Sequence, residues 1–157
     1  MRNAKGLILA AMLCIGAGSR AEEPFRRIVI PMEEHGYQHF ESQVIRSAEE
    51  LEKLFDSSKD GWNKREEFEK NLKDVKFDFT KEALVLLRHT EGSGSTKVTF
   101  EEPELVGATL KCKVSRSEPE IGTADMAYYA FVLAVKKEKV KEVKFTSHGK
   151  TVTLKTE

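Results

Sequence analysis

Two continuous apolar runs constrain this chain more than any other feature of its sequence. Ala83-Leu84-Val85-Leu86-Leu87 is unbroken by a polar residue, and Met126–Val135 is apolar throughout, with Tyr128, Tyr129, Phe131 and Val132 inside it. A half-buried strand alternates apolar and polar residues, whereas a run without alternation needs cover on both faces. Both runs therefore read as interior strands of a sheet. A buried helix has the same periodicity as the second run, but the aromatic and β-branched content favours a strand.

Shorter strand candidates surround these two. Phe25–Ile30 lies between Pro24 and Pro31, Gln43–Arg46 is brief and β-branched, and Val98 and Phe100 mark another. Leu105–Val114 reads as one further strand. Val143 and Phe145 face Val152 and Leu154 across Ser147-His148-Gly149-Lys150, the pattern of a terminal hairpin. Two helices come earlier. Ser47 opens Ser-Ala-Glu-Glu, a capping box in which Ser47 and Glu50 satisfy each other's free amides, and Leu51, Leu54 and Phe55 then share one side. That helix should end near Asp56-Ser57-Ser58. After Asp60-Gly61 a more polar helix over Asn63–Lys73 carries Phe68 and Leu72 as its stripe, with Trp62 near its entry and Val75 beyond its exit. The expected fold is α+β: a bent antiparallel sheet, or a small β-sandwich, of six to seven strands with two helices inserted near the N-terminus.

The N-terminal segment is unlike the rest. A cationic start with Arg2 and Lys5 precedes an apolar stretch from Gly6 to Gly18, then Ser19-Arg20-Ala21 ahead of Glu22-Glu23-Pro24. These are the three parts of a secretory signal peptide. The apolar stretch is 13 residues long, short of the roughly 20 that a membrane span requires. Residues 1–21 are therefore expected to be cleaved after Ala21, leaving a single domain over residues 22–157 in the periplasm or outside the cell, with no stable membrane span. Leu13 before Cys14 does not suit a lipoprotein signal site, so Cys14 belongs to the discarded segment. Cleavage removes three cations and no acid, so the balanced chain becomes one of net charge −3. Such a surface lacks the basic footprint of a nucleic-acid binder. Cys112 becomes the only cysteine, which excludes an internal disulfide. It alternates with Lys111 and Lys113 beside Leu110 and Val114, and so reads as a buried small hydrophobe.

Candidate chemistry is sparse. In Glu33-Glu34-His35-Gly36-Tyr37-Gln38-His39-Phe40-Glu41, His35 and His39 would stand one helical turn apart and could share a metal with a neighbouring carboxylate. Gly36 disfavours that helix, and no Glu sits between the histidines as a metalloprotease base, so a polar connecting loop is the favoured reading. Ser93-Gly94-Ser95 lies in a glycine-rich turn. A phosphate cradle needs a helix directly behind it and a hydrolase serine needs a strand–turn–helix elbow, but here a strand follows. The loop reads as a hairpin connection whose tip, Gly92, Ser93, Gly94 and Ser95, is contact surface, as is the loop with His35, Tyr37 and His39. His89 and His148 enter a catalytic triad only on paper, because triads are recognised by geometry. The sequence thus implies neither a cofactor nor an enzyme.

The order of features resembles a known family. Val44-Ile45-Arg46-Ser47-Ala48-Glu49-Glu50-Leu51, closing with Leu54-Phe55, looks like the strand, Arg-Ser and capped-helix opening of the protease-complex-associated PrcB C-terminal domain family. Lys76-Phe77-Asp78-Phe79-Thr80-Lys81-Glu82-Ala83-Leu84-Val85-Leu86 resembles its Asp-Phe pair leading into an apolar strand. Gly92–Ser95 and Ala127–Val132 fall where that family has its glycine turn and Pro-Tyr strand, although this chain lacks the Thr-Gly-Gly-Tyr of the turn and has Ala127-Tyr128 in the strand. The resemblance covers about residues 25–146. It implies an exported, non-catalytic accessory domain of bacterial origin that binds a protein partner, in the namesake setting a surface protease complex. The alternatives from the residues are a small secreted metal-dependent hydrolase using His35 and His39, or a protease inhibitor acting through Gly92–Ser95.

Overall fold

A computed structural model describes residues 23–30, 37, 40–57, 64–118 and 120–157. The expected signal segment, His35, His39 and Trp62 lie outside the described residues. In chain order the elements are β1 (Phe25–Ile28), β2 (Gln43–Ile45), α1 (Ala48–Ser57), α2 (Arg65–Asp74), β3 (Glu82–Glu91), β4 (Lys97–Phe100), β5 (Glu104–Val106), β6 (Thr109–Ser117), β7 (Ala127–Lys136), β8 (Glu142–Ser147) and β9 (Lys150–Lys155).

The nine strands make two sheets. The first has the order β1-β7-β3-β2 and is antiparallel throughout. Its middle is the ten-residue pairing of β3 with β7, from Glu82 opposite Lys136 to Glu91 opposite Ala127. These are the two apolar runs, and they are interior strands as expected. The second sheet has the order β4-β6-β8-β9, with β5 also paired to β6.

Strand parity explains why neither run alternates. Leu84, Leu86, Ala130, Val132 and Ala134 point to one side, where Leu51, Leu54 and Phe55 of α1 and Phe68 and Leu72 of α2 cover them. Ala83, Val85, Leu87, Leu133 and Val135 point to the other, against Phe100, Leu110, Cys112, Val143 and Phe145 of the second sheet. The result is three layers: helices, sheet, sheet. Burying both faces of β3 and β7 is the dominant stabilisation, at about 1.5–3 kcal/mol for each large apolar side chain.

Local signals place the helices. Ser47 Oγ accepts from the Glu50 amide at 3.1 Å and so caps α1. The return bond differs from the expected box: Glu50 Oε2 accepts from the amide of Arg46 at 2.6 Å, one residue before the cap. At the other end of the pair, Phe77 N–H bonds to Leu72 C=O and Lys76 N–H to Lys73 C=O, closing α2 with Lys76 in the left-handed region at φ 52°. That is a Schellman close with a lysine where glycine is usual. Arg65 joins the two helices, bonding Glu52 at 2.6 Å and Glu69 at 2.8 Å while lying over the Phe55 ring.

Three expectations need correction. The described residues hold nine strands, more than the six or seven expected, within the expected α+β class. Leu105–Val114 is not one strand: the two-residue turn Gly107-Ala108 folds β5 back onto β6, with Val106 opposite Thr109. Gly107 takes φ 62°, a conformation that glycine adopts without strain. Finally, β6 and β8 pair in parallel, Thr109 with Glu142 through Lys113 with Thr146, because the intervening β7 belongs to the other sheet. The terminal hairpin forms as expected, and its turn residues His148 and Gly149 have φ of 49° and 70°.

Candidate functional site

At one end of the sandwich the inward faces of three strands change from apolar to polar. On β3 the inward series Ala83, Val85, Leu87 continues as His89 and Glu91. On β6, Leu110, Cys112 and Val114 are followed by Arg116, and on β8, Val143 and Phe145 are followed by Ser147. These groups meet between the sheets. His89 Nδ1 is 2.7 Å from Ser147 Oγ, and His89 Nε2 is 2.7 Å from Glu91 Oε1. Arg116 holds Glu91 with a fork: Nε donates to Oε1 and Nη2 to Oε2, both at 2.9 Å. His148, in the β8–β9 turn, stacks on His89 with ring centres 4.7 Å apart and planes 13° from parallel. Its Nε2 is 2.6 Å from the Thr90 carbonyl oxygen and 3.8 Å from Glu91 Oε1. His89 and Glu91 are each only 1% exposed.

The contacts assign the protons. Burial alone would raise the Glu91 carboxyl, but the Arg116 fork and the His89 hydrogen bond together hold it below the ordinary carboxylate value. An ionised Glu91 only accepts, so His89 donates from Nε2 and accepts the Ser147 hydroxyl proton at Nδ1. Burial also pushes the His89 imidazole down, more than Glu91 raises it, and the nearby Arg116 guanidinium adds to that. His89 is therefore neutral near pH 7. The Thr90 carbonyl can only accept, which makes His148 Nε2 a donor as well.

Two kinds of chemistry are within reach of this arrangement. Hydroxyl, imidazole and carboxylate follow one another as in a nucleophilic triad, but the hydroxyl meets Nδ1 instead of Nε2, and Arg116 already neutralises the carboxylate. The second is ligation, since one donor atom each from His89, Glu91 and His148 lie within 4.8 Å of one another. An open cleft of about 630 Å³, bordered by Ser42, Arg88, Thr90, Ser147, His148 and Lys150, reaches the cluster from the side.

The glycine-rich loop sits directly above. Thr96 N–H bonds to Ser93 C=O at 3.2 Å and closes the Ser93–Thr96 turn. The loop before β7 locks onto it: Thr123 N–H reaches Ser93 Oγ at 2.9 Å and Ser95 Oγ at 3.0 Å, and Asp125 Oδ1 accepts from Gly94 N–H at 3.4 Å. A Cβ on Gly94 would stand 2.4 Å from the Asp125 carboxylate, so a larger residue there would push that side chain off the loop. Ile121 and Met126 project from this second loop, 86% and 46% exposed.

Of the residues singled out in the sequence, Gly92, Ser93, Gly94 and Ser95 are thus at a loop tip. Tyr37 is instead buried, 2% exposed in the helix-side core with its ring 5.5 Å from that of Phe40, and offers no contact surface. His89 and His148 do come together, and with them Glu91, Arg116 and Ser147, which the sequence reading did not assemble. The signal was present in the continued parity of three strand faces. Compared with family models, with curated proteins and with solved structures, the chain matches none.

Proposed function

We propose that the chain is exported and serves, after loss of residues 1–21, as a non-catalytic binding domain that docks on an envelope or secreted protein, a protease complex being the favoured partner. The observation that carries this reading is the braced tip. Two loops from different strand pairs are tied hydroxyl to amide through Ser93, Ser95 and Thr123, and they hold Ile121 out into solvent. Loops ordered before contact lose less conformational entropy on docking, so more of the contact energy appears as affinity. The N-terminal segment supports export, and the resemblance to the PrcB C-terminal domain family supports the partner class.

Direct protease inhibition through Gly92–Ser95 is the weaker alternative. An inserted inhibitory loop runs extended into a cleft, whereas Ser93–Thr96 is a closed turn whose serines face Thr123. The test is affinity purification of the tagged protein from its native compartment, beside Ile121→Asp, with mass spectrometry of what co-elutes. One protein recovered reproducibly with the parent and depleted about tenfold with Ile121→Asp supports the docking role. No reproducible companion, or equal recovery with both, refutes it, and inhibition of a protease panel would favour the alternative.

A further inference from the structure

We propose that His89, Glu91 and His148 form a site for one divalent transition-metal ion of the zinc class, beneath the braced tip. Two imidazoles and a carboxylate are a ligand set that suits zinc and leaves a position free for a fourth group. Here one donor atom of each lies close to the others. Both Nε2 atoms face the same oxygen, Glu91 Oε1, at 2.7 and 3.8 Å, and all three donor atoms fall within 4.8 Å. Two of the three ligands are 1% exposed, and His148, in the exposed turn, has to tilt its ring out of the stack and away from Thr90 to aim Nε2 at the same ion.

Ser147 fits the same role. A ligating histidine has its other ring nitrogen held by an outer partner, which sets the tautomer. His89 Nδ1 has Ser147 Oγ at 2.7 Å. A hydroxyl both donates and accepts, so when an ion takes the Nε2 lone pair the His89 proton moves to Nδ1 and is donated to Ser147, whose own hydrogen turns away. His148 Nε2 likewise has to leave the Thr90 carbonyl before it can ligate.

The residue choice in the turn points the same way. His148-Gly149 occupies the two positive-φ positions of a two-residue hairpin, where Asn-Gly is the favoured pair, and the imidazole there stacks over His89. Arg116 is the feature that opposes a cation. It needs to yield only Oε1, since its Nη2 bond to Oε2 is compatible with a ligand at the other oxygen. It also has a second anion in Glu118, at 2.8 Å.

The experiment is titration of the full chain, stripped with chelator, with Zn²⁺ by calorimetry and with Co²⁺ by absorption spectroscopy. His148→Asn keeps a residue suited to the turn, and a His35→Asn/His39→Asn double variant controls for the other histidine pair. The expected result is one ion per chain and a tetrahedral Co²⁺ spectrum, weakened at least tenfold by His148→Asn and unchanged in the double variant, with circular dichroism confirming both folds. Absence of stoichiometric binding in the parent overturns the proposal. So does binding that survives His148→Asn, or that follows His35 and His39 instead.

Discussion

Glu82 is a carboxylate placed where a charge survives only with a partner. Its side chain is 4% exposed, and Arg26 meets it with two bonds, Nη1 to Oε1 at 2.5 Å and Nη2 to Oε2 at 2.9 Å. The same guanidinium reaches the Val75 carbonyl at 3.2 Å, so one side chain ties β1 to the exit of α2 and the start of β3. Arg26→Gln removes the charge and leaves the carboxylate buried, which costs about 3 kcal/mol. Adding Glu82→Gln to it should recover part of that loss, because no uncompensated charge remains. Urea denaturation of both single variants and the double variant measures the coupling, and an additive double variant would show that the pair does not interact. Cys112 gives a second residue-level prediction. Burial pushes its thiol up to about 12, and it is 2% exposed. At pH 8 its thiolate fraction is then roughly a thousandfold below that of a free cysteine, so the native protein should resist a thiol reagent that labels the urea-unfolded chain at once. Fast native labelling would mean that the sheets open locally around β6.

Among the elements, chain reversals test how backbone geometry and residue choice agree. Lys76 sits at φ 52° in the close of α2 with its side chain in solvent, so Lys76→Gly relieves the left-handed strain and loses no packing. The strain is about 1–2 kcal/mol and the added unfolded-state freedom about 0.4–1, so a net gain of about 0.5–1 kcal/mol is expected. Gly107→Ala places a Cβ at φ 62° in the β5–β6 turn with no compensating contact and should lose about 1 kcal/mol. Equal signs in denaturant melts of the two variants would refute this account. The elements legible in the sequence are those whose signals are local. Ser47 caps α1, Leu51, Leu54 and Phe55 mark its buried face, and His148-Gly149 turns the last hairpin. The misread stretch, Leu105–Val114, failed on the single glycine at 107, which breaks a strand without breaking its apolar pattern. The parallel pairing of β6 with β8 was not legible because nothing within either strand specifies it. It follows from β7 leaving for the other sheet.

For the molecule as a whole, the first sheet supplies both cores. The helix-side core and the inter-sheet core share no side chain, yet both are built on alternate residues of β3 and β7. The same alternation made the architecture legible, since runs without polar residues demanded cover on both faces. It hid the polar end, where His89, Glu91, Arg116 and Ser147 continue three inward faces that converge only in the folded sandwich. Cooperativity follows from the shared sheet. Leu84 faces the helices and Leu133 the second sheet, and both are fully buried. Leu84→Ala and Leu133→Ala each delete a core side chain, at about 2–5 kcal/mol. For a domain of this size that lowers the melting temperature by roughly 10 °C. Because β3 and β7 pair along ten residues, damage on one face should be felt on the other. Each variant should therefore lose its helix and sheet circular-dichroism bands in a single coincident transition, shifted to lower temperature by a similar amount. If Leu84→Ala melted the helix band first and left the sheet band at the parent temperature, the helices would be an ornament on a self-sufficient sandwich. The coincident outcome makes the paired β3 and β7 the element through which the helix layer, the second sheet and the polar end stand or fall together.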